Sequence, residues 1–557
     1  MKRKLLALFM TGILAAGLVG CAGTSTDSSA ADISSAESSG TKDAKTSSSA
    51  SGETDEENAL SFPLEESVTL TLWFPYGNTF WDNMKDNPVV GMVEKELNIN
   101  LEFIHPPQSD QETSLQLLFA SQDLPDIIRL DGGISPSLVY PGGGEKGVQD
   151  GVILQLNDLI DQYAPNYKAV RARGGDYEKD TITDNGVMWA MYTVGDVFEK
   201  PWGGLAYRKD WADDLGLDTP LTLDDWHTML TEFKNEKGAV APLMIPDTGL
   251  LVCSEFLSAF GVGKEFYHVN NEVKYGPLEE GMREYVELMR QWFTEGLIDP
   301  NFAANEEFMN SGNGWGLPTS YVIDGKTGAG FSSWAMTRNG ISSLYKATDD
   351  TTIDYFAAPP PVKKEGDQTQ IRMTTSTVYN PWIVTTSCEN PEVAVMYMDW
   401  GYTEEGILIL NYGDASNYTI TEEGPRFNDD ILYSTEYDLP TFLSAFTWET
   451  PPGMRDIERA YQNTDEDLLA ARDVWMAAGS DNVIPIGVAF TSEESSEYAT
   501  VMGDITTYAE EMIPQFINGR VTMDEWDGFV AQIKSMNIDR AIELKQAAFD
   551  RYRNREA

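Results

Sequence analysis

Residues able to hold a transition metal are scarce in this chain: three cysteines (Cys21, Cys253, Cys388) and three histidines (His105, His227, His268) lie scattered over 557 residues. No two cysteines have zinc-ligand spacing, so no metal site is expected. A disulfide framework is equally absent. An exported fold of this size does not need one, and Cys253 and Cys388 read as separate buried thiols. Basic residues are in short supply as well, with 39 Lys and Arg against 89 Asp and Glu and a net charge of −50. That balance excludes nucleic acid as a partner, because phosphates demand clustered cations. Catalytic signatures are missing too: the chain has no HExxH helix, no phosphate loop and no nucleophile elbow. With so many carboxylates, a pair at any spacing says nothing about a glycosidase. No catalytic residue and no cofactor is assigned.

Long apolar runs are confined to the start. Lys2-Arg3-Lys4 precedes an apolar stretch from Leu5 to Val19, and no acidic residue occurs before Asp27. This reads as a secretory signal over residues 1–20, too short at about 15 apolar residues to cross a ~30 Å bilayer core comfortably. Leu18-Val19-Gly20-Cys21 resembles the lipobox of bacterial lipoproteins, which implies a lipidated, palmitate-bearing Cys21 as the mature N-terminus. From Ala22 to about Glu57 the chain is rich in Ser, Thr, Ala and acids and has no aromatic, so it cannot bury enough apolar surface to order itself. Residues 21–65 are therefore expected to form the lipidated cysteine and a flexible tether.

Beyond the tether, period-two alternation in Val68-Thr-Leu-Thr-Leu-Trp73 predicts a strand, the spacing in Pro88 to Leu97 a helix, and Asn100 to Ile104 a second strand. A further helix, about Asp110 to Ser121, leads to a third strand ending at Leu130. Strand, helix, strand, helix, strand implies a parallel sheet whose ligands gather at the carboxyl ends of its strands. Gly186 to Tyr192 reads as another strand and Gly203 to Trp211 as a strand running into a helix. Thr222 opens a helix with a capping box, and Met282, Tyr285, Met289 and Trp292 form one core-facing stripe. The segments Tyr498 to Gln515, Trp526 to Ser535 and Asp539 to Arg553 read as closing helices.

Six segments in order resemble one family. They are Leu124-Pro-Asp-Ile-Ile-Arg-Leu-Asp131, Tyr207-Arg-Lys-Asp-Trp-Ala-Asp-Asp-Leu-Gly-Leu217, Trp292 to Phe302, Ala357-Ala-Pro-Pro-Pro-Val362, Asp399-Trp-Gly-Tyr-Thr-Glu-Glu-Gly406 and Gln546 to Tyr552. Together they resemble the carbohydrate-binding extracellular solute-binding proteins of ABC importers (family 1), nearest to the large lipoproteins of Gram-positive bacteria and more distantly similar to maltose- and alginate-binding proteins. The resemblance implies an α/β, two-lobed periplasmic-binding-protein-like fold with a multi-strand hinge and a helical C-terminal extension. The expected divisions are 66–192 for lobe 1, 193–372 for lobe 2, 373–420 for a return to lobe 1 through the hinge, and 421–557 for a mainly helical part belonging mostly to lobe 2. It also implies a sugar or oligosaccharide ligand, permease subunits as partners, attachment to the outer face of the cell membrane through the lipid, and no enzyme activity. A sensing or scaffolding lipoprotein, or a glycan-active enzyme, is the alternative.

Sugars offer hydroxyl rims and apolar C–H faces, so aromatic platforms beside polar side chains are the residues to look for. Tyr76, Asn78 and Trp81 follow the first strand and Asp131 follows the third. Trp189 and Trp202 flank the expected hinge, with Trp202 next to Gly203-Gly204. In the second lobe, Asp247 follows a short strand and Trp315 lies within Gly312-Asn-Gly-Trp-Gly316. Trp382 begins a strand near a hinge crossing. Several relatives carry a calcium loop where this chain has Lys234-Asn-Glu-Lys-Gly-Ala-Val240. Spaced oxygen ligands are missing there, and no calcium is expected.

Overall fold

A computed structural model describes residues 60–555 apart from 77–79, 108–109, 131–139, 174–175, 196–202, 246–255, 305–316, 334–351, 370–377, 465, 478 and 480. The described residues fall in one unit, which begins at Leu60. Residues 60–65, expected to belong to the tether, are already docked: Leu64 is buried, and its backbone N–H donates to the Leu97 carbonyl at 3.1 Å.

The alternation in Val68–Trp73 places Leu70 and Leu72 in the core and leaves Thr69 exposed. The following helix, Pro88–Leu97, is fixed at both ends by asparagine. Asn87 caps the Val89 N–H, Pro88 presets the first turn, and Asn98 ends the helix in the left-handed region at φ 53°. Its Val89, Val90, Val93 and Leu97 then face the sheet side.

Six strands form the first sheet, in the order Met454–Arg455, Met191–Gly195, Val378–Val384, Ile127–Arg129, Val68–Trp73, Ile99–Ile104. Val68–Trp73 is parallel to both its neighbours, and Val378–Val384 is antiparallel to both of its own. The register of Val378–Val384 shifts between Tyr379 and Pro381, with Asn380 at φ 45°. This bulge lets a proline sit in a central strand without breaking the ladder on either side. The second sheet has four strands, Tyr355–Ala357, Gly203–Arg208, Thr327–Ser333 and Ala241–Met244.

Each sheet has its own core. Leu70, Trp382 and Trp448 belong to the first, while Trp226, Trp292, Phe331 and Phe529 belong to the second. The predicted stripe of Met282, Tyr285, Met289 and Trp292 is fully buried in the second core. The two cores and two sheets are the two lobes. The chain passes from the first sheet to the second after Gly195, returns before Val378 and crosses again after Arg455.

Two details depart from the sequence reading. The strand expected over Gly186 to Tyr192 runs from Met191 to Gly195. The helix expected from Tyr498 begins at Ser492, because Thr491 and Glu494 form a reciprocal capping box one and a half turns earlier. Within 421–557, expected to belong mostly to lobe 2, Met454 pairs with Val194 in the first sheet and the helices from Ser492 onward pack on the second core.

Candidate functional site

A cavity of about 500 Å³ lies between the first lobe, at the cluster that packs Trp189 with Ile128 and Ile383 of the first sheet, and the second core, within the range of small-molecule sites. One wall comes from Gly142 to Gln149, Thr183 to Asn185 and Trp189. The opposite wall comes from Glu265, Phe266, the stretch Ile484 to Tyr498, and Lys545 on the C-terminal helix Ile538–Asn554.

Glycine makes the first wall possible. Gly142 and Gly143 adopt φ +92° and +89°, which side-chain-bearing residues rarely do. The turn carries the chain so close to the Trp189 indole that a Cβ on Gly144 would lie 2.2 Å from its Cδ2. Trp189 is 7% exposed, lines the cavity and packs edge-on to Tyr192 at 6.0 Å. Gly144→Ala is therefore expected to force the indole out of place, lowering stability by about 1–3 kcal/mol as overpacked cores do. A lower melting temperature together with weaker ligand binding is the readout, and wild-type values for both would contradict this packing.

Aromatic rings dominate the second wall. Phe490 and Tyr498 lie 4.3 Å apart, and Phe266 sits 5.8 Å from Tyr498. The Lys545 ammonium stands 5.1 Å over Phe490 and 6.0 Å over Tyr498, a cation–π arrangement. Burial pulls the Lys545 amine down to about 8, against the opposing field of Glu265. Burial, and then Glu265, pushes the Tyr498 hydroxyl up. On the first wall Asn185 donates to Glu145 at 2.8 Å, and Lys146 is paired with Asp150.

Behind the cavity, the C-terminal helix ties the lobes together. Arg551 donates to Asp184 at 2.8 Å and to Glu494 at 2.5 Å. Arg555 donates to Asp184 at 2.5 Å and to the Ile182 carbonyl at 2.7 Å. The Tyr552 hydroxyl donates to Asp180 at 2.9 Å, and the Gly487 N–H reaches the same oxygen at 3.1 Å.

Of the described residues singled out in the sequence, Trp189 is the one that lines this cavity. Tyr76 is half-buried in the first lobe, its ring stacked on His105 at 5.1 Å. Burial, reinforced by Asp86, raises its hydroxyl to about 12. Trp81 is half-buried, and its indole N–H donates to the Ala445 carbonyl at 2.7 Å. Trp382 is fully buried in the first core, with its indole N–H 3.2 Å from Thr193 Oγ1. It therefore presents no surface to a ligand: its strand, Val378–Val384, is central in the first sheet and is buried on both faces from Asn380 to Val384. Asn78, Asp131, Trp202, Asp247 and Trp315 lie outside the described residues, as do Cys21 and Cys253. Cys388 is a buried free thiol. Phe266, Phe490, Tyr498 and Lys545 were not anticipated. The capping box at Thr491 and Glu494 is the local signal for two of them: it starts the helix at Ser492, which leaves Phe490 just before the cap and puts Tyr498 inside the helix. Among the described residues no cluster of His, Cys, Asp and Glu suits a metal ion, and no helix is long and apolar enough to cross a membrane.

The sequence pattern of the bacterial extracellular solute-binding proteins matches residues 92–407, more than half of the chain. The chain is 23% identical over 535 residues to the fructooligosaccharide ABC transporter substrate-binding protein FusA of Streptococcus pneumoniae, covering 88% of this chain and 92% of that one. Its fold is that of the crystal structure of the alginate-binding protein AlgQ2 without calcium ion, with a TM-score of 0.68 at 23% identity over 88% of this chain and 99% of that one. FusA in complex with kestose superposes with a TM-score of 0.69 at 20% identity over 88% of this chain and 100% of that one.

Proposed function

From the premise that the chain belongs to the bacterial extracellular solute-binding proteins, we propose that it is the lipid-anchored substrate-binding subunit of an ABC importer, capturing a sugar or oligosaccharide between its lobes and handing it unaltered to a permease. The observation that carries this reading is the cavity between the two lobes, where aromatic faces and polar side chains meet from both sides. Trp189 and Phe490 would stack on sugar C–H faces, while Asn185, Glu145 and Lys545 would exchange hydrogen bonds with hydroxyls. Because the walls belong to different lobes, a ligand touching both favours the closed arrangement over the open one, and closure is a population shift. Tyr76, Asn78, Trp81, Asp131, Trp202, Asp247 and Trp315 extend the proposed contact set along the strand ends.

The anchor fits the same role. A lipid on Cys21 behind a signal peptide and a tether confines the receptor to the extracytoplasmic face of the cell membrane, beside its permease. Replacing Cys21 by alanine is expected to release the protein into the medium.

A thermal-shift screen against oligosaccharides tests the function. Ligand at a hundred times its Kd stabilises the folded state by about 2.7 kcal/mol, so a raised melting temperature with chemically unchanged sugar is the expected result. Phe490→Ala should weaken binding about three- to ten-fold, the share of one aromatic face. Release of cleaved products, or stabilisation by peptides alone, would overturn the reading.

A further inference from the structure

We propose that the cavity selects uncharged oligosaccharides against uronate-bearing ones, and that Glu145, Glu265 and Glu493 impose the selection. This rests on the reading of the cavity as the sugar site and names the class of sugar.

The charges lining the cavity are unevenly satisfied. Asp184 is neutralised by Arg551 and Arg555, and Lys146 is taken by Asp150. Among the described residues Glu145 is held by neutral amides, Asn185 Nδ2 at 2.8 Å and Gln149 Nε2 at 3.4 Å, with no cation within ion-pair distance. Glu265 and Glu493 line the cavity from the exposed edge of the second wall. Against these three carboxylates stands one ammonium, Lys545. Among the described residues it has no carboxylate within ion-pair distance, and its charge is spent over the faces of Phe490 and Tyr498.

A uronate entering this space would meet three like charges across a medium less polarisable than water, where such repulsion is stronger than in bulk solvent. The rest of the chain, at −50, adds to the same field. A neutral sugar avoids that cost and still finds what it needs. The carboxylates accept hydrogen bonds from its hydroxyls, as charged acceptors do more strongly than neutral ones, and the rings cover its C–H faces. The acidic lining is thus attractive to hydroxyl groups and repulsive to carboxylates, a specificity made as much by repulsion as by contact.

The test uses matched pairs: neutral oligosaccharides and their C6-oxidised uronate counterparts, titrated calorimetrically into the full chain. At low salt the neutral member is expected to bind at least about ten-fold tighter, with the gap narrowing as salt screens the edge carboxylates. Combining Glu265→Gln with Glu493→Gln should shrink the gap, and Lys545→Met should widen it by removing that ammonium. Equal or tighter binding of the uronates, or a ratio unmoved by the double substitution, overturns the proposal while leaving the sugar reading intact. Binding by neither member of any pair removes the sugar reading itself, and the selectivity with it.

Discussion

Asp184→Ala is expected to lower the stability of the protein by about 3–5 kcal/mol, the cost of removing one partner from a buried charge pair. Asp184 accepts from Arg551 Nε at 2.8 Å, Arg555 Nε at 3.0 Å and Arg555 Nη2 at 2.5 Å. The Arg555 side chain is only 4% exposed. Without the carboxylate its guanidinium keeps backbone carbonyls, Ile182 at 2.7 Å and Gly487 at 3.2 Å, which satisfy donors without cancelling the charge. The comparison is Glu497→Ala. Its pair with Arg540 is 40–45% exposed on both sides, where water and salt screen it, so its loss should be much the smaller. Denaturation midpoints of the two variants, measured at low and high salt, separate the cases: the Asp184 loss should persist in salt and the Glu497 loss should fade. Equal losses would show that the C-terminal helix is not a load-carrying link between the lobes.

That link reaches further than stability. Tyr177 and Ile182 pack against the first core, whereas Ile538 and Ala541 on the C-terminal helix belong to the second. Asp184 and the neighbouring Asn185 also line the cavity. Loosening the link should therefore change how the cavity walls face each other, and Asp184→Ala is expected to weaken sugar binding as well as folding. Coupling of this kind follows whenever one set of contacts biases the same two-state arrangement that a ligand does.

Much of this architecture was legible because it is written in local pattern. Leu70 and Leu72 alternate with threonines, so a strand with one buried edge of side chains follows. Met282, Tyr285, Met289 and Trp292 recur at helical spacing and are buried together. Thr222 and Asp225 announce a helix start that the structure reproduces bond for bond. What was not legible is relative placement. Nothing in the sequence around Met454 says that it pairs with Val194, some 260 residues earlier, and nothing around Lys545 says that its ammonium crosses to Phe490. The site suffers most from this, because its walls come from opposite ends of the chain. Trp189 was found through its nearness to a hinge crossing, and Trp382 was chosen on the same argument, yet it lies in a central strand buried on both faces. Proximity to a crossing selects a region, and whether a strand is covered on both faces decides whether any of its side chains can reach the cleft.

Asp180 makes the same link sensitive to pH. Burial raises its carboxyl to about 6, with Asp176 adding to the rise, while the Tyr552 hydroxyl, the Gly487 N–H and Arg555 act against it. An unperturbed aspartate titrates near about 3.9. The folded protein therefore binds this proton more tightly than the unfolded chain does. Stability from the group is fully present below about pH 4 and is lost as pH rises through about 6, a change of roughly 2–3 kcal/mol. Asp180→Asn keeps an oxygen for Tyr552 and Gly487 and removes the titration. Relative to wild type, the variant should gain stability by that amount between pH 4 and pH 8, so that it melts higher at pH 8 than the wild type does. Melting curves for both proteins across this range decide the matter. Parallel pH profiles would mean that the Asp180 carboxyl is as well solvated in the folded protein as in the unfolded chain.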